Sequence, residues 1–523
     1  MLYKTIAPAD LGVKTDVSPH LIDARAWITM AGMRALGGEV VNFPGWTSIF
    51  AGGTDVGGAV TLIASIEKFN NSQFLVVGGP SKIYRYNAVA KTLTDISGAV
   101  TFVTTLDEPW WPFMFNDNLY VTNKNDGLYK YTGSGNVSLV SGAAGARAGA
   151  VLKDHICLFN LTGGFDQTFL WAAEGSDTAW AALATNDAGE FDLKDSPGQG
   201  VALYRLGNDL IAYKDDSITP ITFIGGNEVF GRRQAVDKIG LLGQFALANL
   251  GRYHIGMSDR EFFKYDGGTL ADTDIGEPIR NTVYDAMSQK YRNRCRAMWF
   301  RDTQEILFMY PASGSVGELT HFVIYNYGDN VWYGPTPITQ GTYVGATRRS
   351  LSMVIDEVTD IIDTVTDFID SDVFIVGNPM QLFGDLSGVV HDIGVGQSAN
   401  GTAITRTLES GDHFLGEGAV DEAGNPVVVP LSSVFSVNAV VIETKDVAND
   451  EISFYIGSHM ELNDAVTYSV AYTIKAHSSG VIRIPVRGAG TLGRWIRVKF
   501  SIPSSRQFGL YGLQYEFSPV GRR

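Results

Sequence analysis

The sequence predicts an all-β protein: a β-propeller preceded by an extended N-terminal arm and followed by a C-terminal antiparallel β-sandwich. Three observations predict it. Hairpin-like units recur at intervals of some tens of residues, each a β-rich run, a Gly/Asn/Asp turn and a second run closed by an aromatic, as four-stranded propeller blades do. From about residue 396 apolar and polar residues alternate at period two between polar turns, the mark of half-buried antiparallel strands. The composition agrees, with 11% aromatics and 59 glycines against 18 prolines in 523 residues, favouring strands joined by tight turns.

Residues 1–50 read as the arm. LGVKTDVSPHLIDARAWITM has no sustained period, and in GGEVVNFPGW the pair Pro44-Gly45 suits the centre of a type II turn. The segment is expected to pack against another domain or a neighbouring chain.

Residues 51–395 read as the propeller. FLVVGGPSKIYRYN at 74–87 and LYVTNKNDGLYKY at 119–131 are hairpins, the second turning at Asn125-Asp126-Gly127. YHIGMSDREFFKYD, AMWFRDTQEILFMYP with HFVIYNYGDNVWY, and LFGDLSGVVHD continue the series.

One stretch departs from the pattern: VIDEVTDIIDTVTDFID, residues 354–370, repeats Ile, Asp and Val at intervals of seven. Ile355, Val358, Ile362, Val365 and Ile369 form a coiled-coil seam on paper. It spans barely two heptads and leans on Val, Ile and Thr, too short and too poor in helix formers to stand alone. It reads as an insertion at 354–372, apolar on one side, presenting Asp356, Asp360, Asp363, Asp367 and Asp370 on the other.

Residues 396–523 read as the sandwich, through SVFSVNAVVIETKD, EISFYIGSH, TYSVAYTIKA, GVIRIPVRG, GRWIRVKFSI and FGLYGLQYEFS.

The chemistry-bearing motifs are few. Two distant cysteines, Cys157 and Cys295, read as thiols made in a reducing cytosol. Scattered histidines show no zinc spacing, and TNKNDG puts Thr122 and Lys124 where a calcium loop needs oxygen ligands. No phosphate loop, nucleophile elbow or sialidase Asp box is present. No cofactor, metal or catalytic residue is therefore expected, and no membrane span.

The one basic run is QKYRNRCRAMWFR at 289–301. If it is strand, Arg292, Arg294 and Arg296 share one face. Such a face is either salt-bridged in place or aimed at an anionic partner, acidic residues of an adjacent subunit in preference to DNA phosphate. Net charge of −16 argues against a conventional nucleic-acid binder.

The opening GVKTDVSPHLIDARAWITMAGMRALGGEVVNFPGW, the blade-like IYRYN and LTDIS, AVDKIGLLG with FFKYDGG, the segment from IRNTVYDAMSQKYRNRCRAMWFRDTQEILFMYP to VIYNYGDNVW, and the terminal FGLYGLQYEFSPVGRR together resemble tail nozzle (tail tubular or tail hub) proteins of short-tailed bacteriophages. Their order carries the similarity, which touches most of the chain. The resemblance implies a virion protein made in the host cytoplasm that assembles as a hexameric ring beneath the adaptor of the portal vertex. Its partners would be that adaptor, tail fibre, spike or needle proteins, and double-stranded DNA passing through during genome ejection. The acidic side of the 354–372 insertion would face the channel or the arginines of a neighbouring subunit, and acidic groups on the channel wall would then repel the duplex and leave it few sites to stick. The alternative is a propeller adhesin that binds host glycan through Trp110, Trp111 and Trp332, followed by a glycosidase.

Overall fold

The computed structural model describes residues 1–7, 10–70, 72–233, 236–348, 379–445, 451–462, 464–475, 480–502 and 508–522. With 51% of residues in strand and 3% in helix, the class is all-β. The acidic repeat, with Asp356, Asp360, Asp363, Asp367 and Asp370, lies outside the described residues.

Five discrete blades follow one another from residue 62 to 265, each an up-and-down antiparallel sheet. They begin with inner strands Leu62–Glu67, Trp111–Phe115, Ala146–Leu152, Gly200–Leu206 and Leu247–Asn249. The predicted hairpins lie within them: Gln73–Gly78 with Ile83–Asn87, and Asn118–Asn123 with Gly127–Tyr131. In the second, Asn123 Oδ1 accepts the amides of Asn125 and Asp126 while Gly127 takes φ 105°, which only glycine enters without strain.

Two further up-and-down sets complete the β-propeller and share one strand, Val331–Arg348. Its first half pairs with Leu319–Asn326 and its second with Pro379–Asp385, which pairs in turn with Val390–Ile393. The outermost strand here comes from the N-terminal segment: Trp46–Ser48 pairs with Val390–Ile393. At the seam between last and first blades, Ser65 Oγ lies 3.0 Å from Thr347 Oγ1. A Cβ on Gly345 would sit 2.7 Å from the Ile63 carbonyl oxygen, so the close approach needs glycine.

The C-terminal unit is a sandwich of two antiparallel sheets. One runs Met33–Leu36, Glu39–Asn42, Gly509–Arg522, Ser433–Lys445, Gly480–Pro485; the other runs Trp27–Ala31, Arg406–Ser410, Trp495–Ile502, Glu451–His459. Burial in Trp495–Ile502 alternates residue by residue, as the period-two pattern requires.

The first fifty residues are woven through both units of their own chain. Leu2–Ile6 pairs with Gly509–Arg522, Trp27–Ala31 bridges Gly334 and Arg406–Ser410, and Trp46–Ser48 completes the last blade. Arg34 adds a buried tie, its Nη1 donating to Glu305 Oε2 at 2.6 Å where Glu305 is fully buried. Gly45 corrects the turn expectation: it lies outside the left-handed region, and a Cβ there would collide with the Ser398 backbone at 2.0 Å.

Candidate functional site

The inner strands bring five side chains together on the propeller axis. Trp111 comes from the second blade, Tyr204 from the fourth, Phe245 from the lead-in to the fifth, Arg296 from the strand Arg296–Phe300 and Tyr343 from Val331–Arg348. Trp111 stacks on Phe245 at 4.9 Å, and Trp111–Tyr204 and Phe245–Tyr343 are edge contacts at 5.1 Å. Each such pair adds about 0.5–1.5 kcal/mol beyond burial.

The polar tips of these rings reach backbone carbonyls. Trp111 Nε1 donates to Gly149 at 2.6 Å, Tyr204 Oη to Gln244 at 2.9 Å and Tyr343 Oη to Trp110 at 2.8 Å. Burial pushes both phenols up, so they stay neutral donors. At this level the axis is filled by side chains and is not a pore.

Arg296 corrects the sequence reading of the basic run. Tyr291 precedes a 3-10 turn, Arg292–Arg294, and only Arg296 begins a strand, so the three arginines do not share a strand face. Arg296 points into the hub, 1% exposed, with its guanidinium carbon 5.1 Å from the Phe245 centroid and 5.9 Å from that of Tyr343. Nη1 donates to the Cys295 carbonyl at 3.2 Å, and Nε has no partner among the described residues. Desolvation pulls its pKa down to about 10, so it stays a cation. Buried here, Arg296 faces neither a neighbouring subunit nor DNA.

Arg292 and Arg294 sit at one mouth of the axis, just ahead of the inner strand. Arg294 forks onto Asp107, Nε to Oδ1 at 2.8 Å and Nη2 to Oδ2 at 2.7 Å, with Asn293 Nδ2 also on Oδ1 at 3.2 Å. These bonds favour the charged carboxylate, the Arg294 fork most of all, and hold Asp107 below the ordinary carboxylate range. Arg292 pairs with Asp259, and Arg147, entering the third blade, pairs with Glu108. Gln244 Nε2 ties the mouth across the axis through the Arg147 carbonyl at 2.7 Å. A general acid or base needs a carboxyl that changes protonation near the working pH; Asp107 is committed to an arginine and suits holding loops in place.

The three tryptophans considered for glycan contact are core residues: Trp110 is fully buried, Trp111 is in the hub and Trp332 Nε1 donates to the Ile275 carbonyl at 2.6 Å. Large aromatics in blade cores serve packing before recognition. Among the described residues no three His, Cys, Asp or Glu side chains form a possible metal group, and no helix is long and apolar enough to cross a membrane.

No protein-family model and no curated protein matches the chain. Among solved structures it is similar to a gluconolactonase from Xanthomonas campestris, with 14% identity, 59% of this chain and 97% of that one covered and a TM-score of 0.29. It is also similar to an exo-β-1,3-galactanase from Phanerochaete chrysosporium, with 8% identity, 98% and 100% covered and a TM-score of 0.24. Scores this low carry no inference about chemistry.

Proposed function

We propose that the chain is a structural subunit of a ring-shaped tail nozzle, one of several copies that together enclose the path for double-stranded DNA and dock an adaptor above and tail appendages below. The observation that carries the reading is the weave of residues 1–50 through both units. Two segments that resemble nozzle proteins meet there: the terminal FGLYGLQYEFSPVGRR pairs with Glu39–Asn42, and the same strand also receives Leu2–Ile6. Propeller and sandwich are thereby tied by shared strands and the Arg34–Glu305 pair, which suits a part under mechanical stress. With the axis of each propeller filled, the DNA path of this reading runs between copies, and the charge of −16 per chain suits a wall to which the duplex does not adhere.

Native mass spectrometry of the purified full chain, alone and with the adaptor of the same virus, tests this. Six-copy species, alone or on adaptor addition, are expected. Monomers under both conditions that instead bind or cleave host polysaccharide would sink the reading in favour of the adhesin.

A further inference from the structure

A cavity of about 430 Å³ opens between the N-terminal strand and the sandwich. One wall carries Lys4 from Leu2–Ile6 and His20 and Ile22 from the segment after it; the other carries Phe414, Leu431 and Trp495. Lys4 is 8% exposed. Its Nζ has one partner among the described residues, the Phe414 carbonyl at 2.9 Å, so an ammonium with three donors is largely unanswered. Desolvation holds Lys4 below the ordinary lysine value, opposed by the charges of Glu417 and Asp23.

The Trp495 ring lines the same cavity. Trp495 Nε1 is buried and without a hydrogen-bond partner among the described residues. Its ring is held by Phe414 at 5.8 Å and His20 at 6.1 Å. A desolvated ammonium with donors left unmade is costly, and an acceptor-rich anion in the cavity answers it.

We propose that this cavity is a binding site for a monocarboxylate with an apolar or aromatic body, its head on Lys4 and its body against Ile22, Phe414, Leu431 and the Trp495 ring. A single negative charge fits better than a phosphate, because Glu417 and Asp412 also line the cavity. Asp412 is already occupied by Arg497 at 2.7 Å and His459 at 3.1 Å. Leu431 is 66% exposed, which leaves an apolar entrance, and the volume lies in the range of small-molecule pockets. The site is independent of the nozzle reading.

The test uses the full chain and two probes of one shape, 4-phenylbutyrate and 4-phenylbutyramide, titrated by calorimetry and tryptophan fluorescence. The carboxylate should saturate the protein and bind at least about tenfold more tightly than the amide, the difference expected of about 1.4 kcal/mol from one charge-assisted contact. Lys4→Met should erase that preference, and Trp495→Phe should remove the fluorescence change. Glu417→Gln, at an exposed rim position, should tighten carboxylate binding even if Lys4→Met folds poorly. N-acetyl-phenylalanine set against its amide separates a free acid from the carboxyl end of a chain. Equal binding of both phenylbutyl probes, or no saturation by either carboxylate at millimolar concentration, would overturn the proposal.

Discussion

Arg34 and Arg296 are two largely buried guanidinium groups in two regions of the molecule, held in opposite ways. At the joint, Arg34 meets a fully buried carboxylate, Glu305, which also accepts from Thr303 Oγ1 at 2.6 Å. On the axis, Arg296 meets rings and one carbonyl and has no ion-pair partner among the described residues. The difference teaches what each region is for. A paired charge fixes one orientation between two units; a cation among rings fills space and closes the axis.

The contrast breaks most visibly at Arg34. Arg34→Met strands the Glu305 carboxylate in the interior and should cost about 3–5 kcal/mol, read as a clear fall in the thermal unfolding midpoint. Arg296→Met removes a desolvated cation while keeping its volume, so stability should hold or rise. A marked loss there would show that the rings need the charge, by cation–π attraction, and would make the two arginines alike.

Asp107 supplies the small end of the scale. Its fork with Arg294 is about half exposed, 51% for the carboxylate, so Asp107→Asn should cost about 0.2–1 kcal/mol. Its folded pKa is depressed, so its contribution is fully present above the unfolded carboxylate value of about 4 and is lost as pH falls through the lower folded value. Acid titrations of the two proteins should therefore converge below that range. A gap of constant size down to the lowest pH would place the effect in packing instead of charge.

The blades and sandwich were legible because period-two alternation and glycine turns are local signals, as in Asn118–Tyr131 and Trp495–Ile502. The arginine run is partly legible. Arg292 and Arg294 are salt-bridged in place, one of its two readings, but QKYRNRC lacks β-branched residues and the chain turns through Arg292–Arg294 before the strand begins, so the shared strand face does not form. That absence was the available signal. The pair Pro44-Gly45 suggests a turn, whereas the demand for glycine at 45 comes from Ser398, distant in sequence. The Lys4 cavity had no sequence signal: a lone lysine in LYKTI meets Phe414 only because Leu2–Ile6 joins the last strand of the sandwich.

The central claim is that copies of this chain enclose a path while each propeller's own axis stays closed by Trp111, Phe245, Tyr343 and Arg296. An electron cryomicroscopy map of the purified assembly, with or without adaptor, tests it most directly. The account predicts a sixfold ring whose opening lies between subunits, with continuous density across every propeller axis at the Trp111–Phe245 stack. A solvent-filled or DNA-filled tunnel through the propeller itself, or particles that remain single subunits, would contradict it.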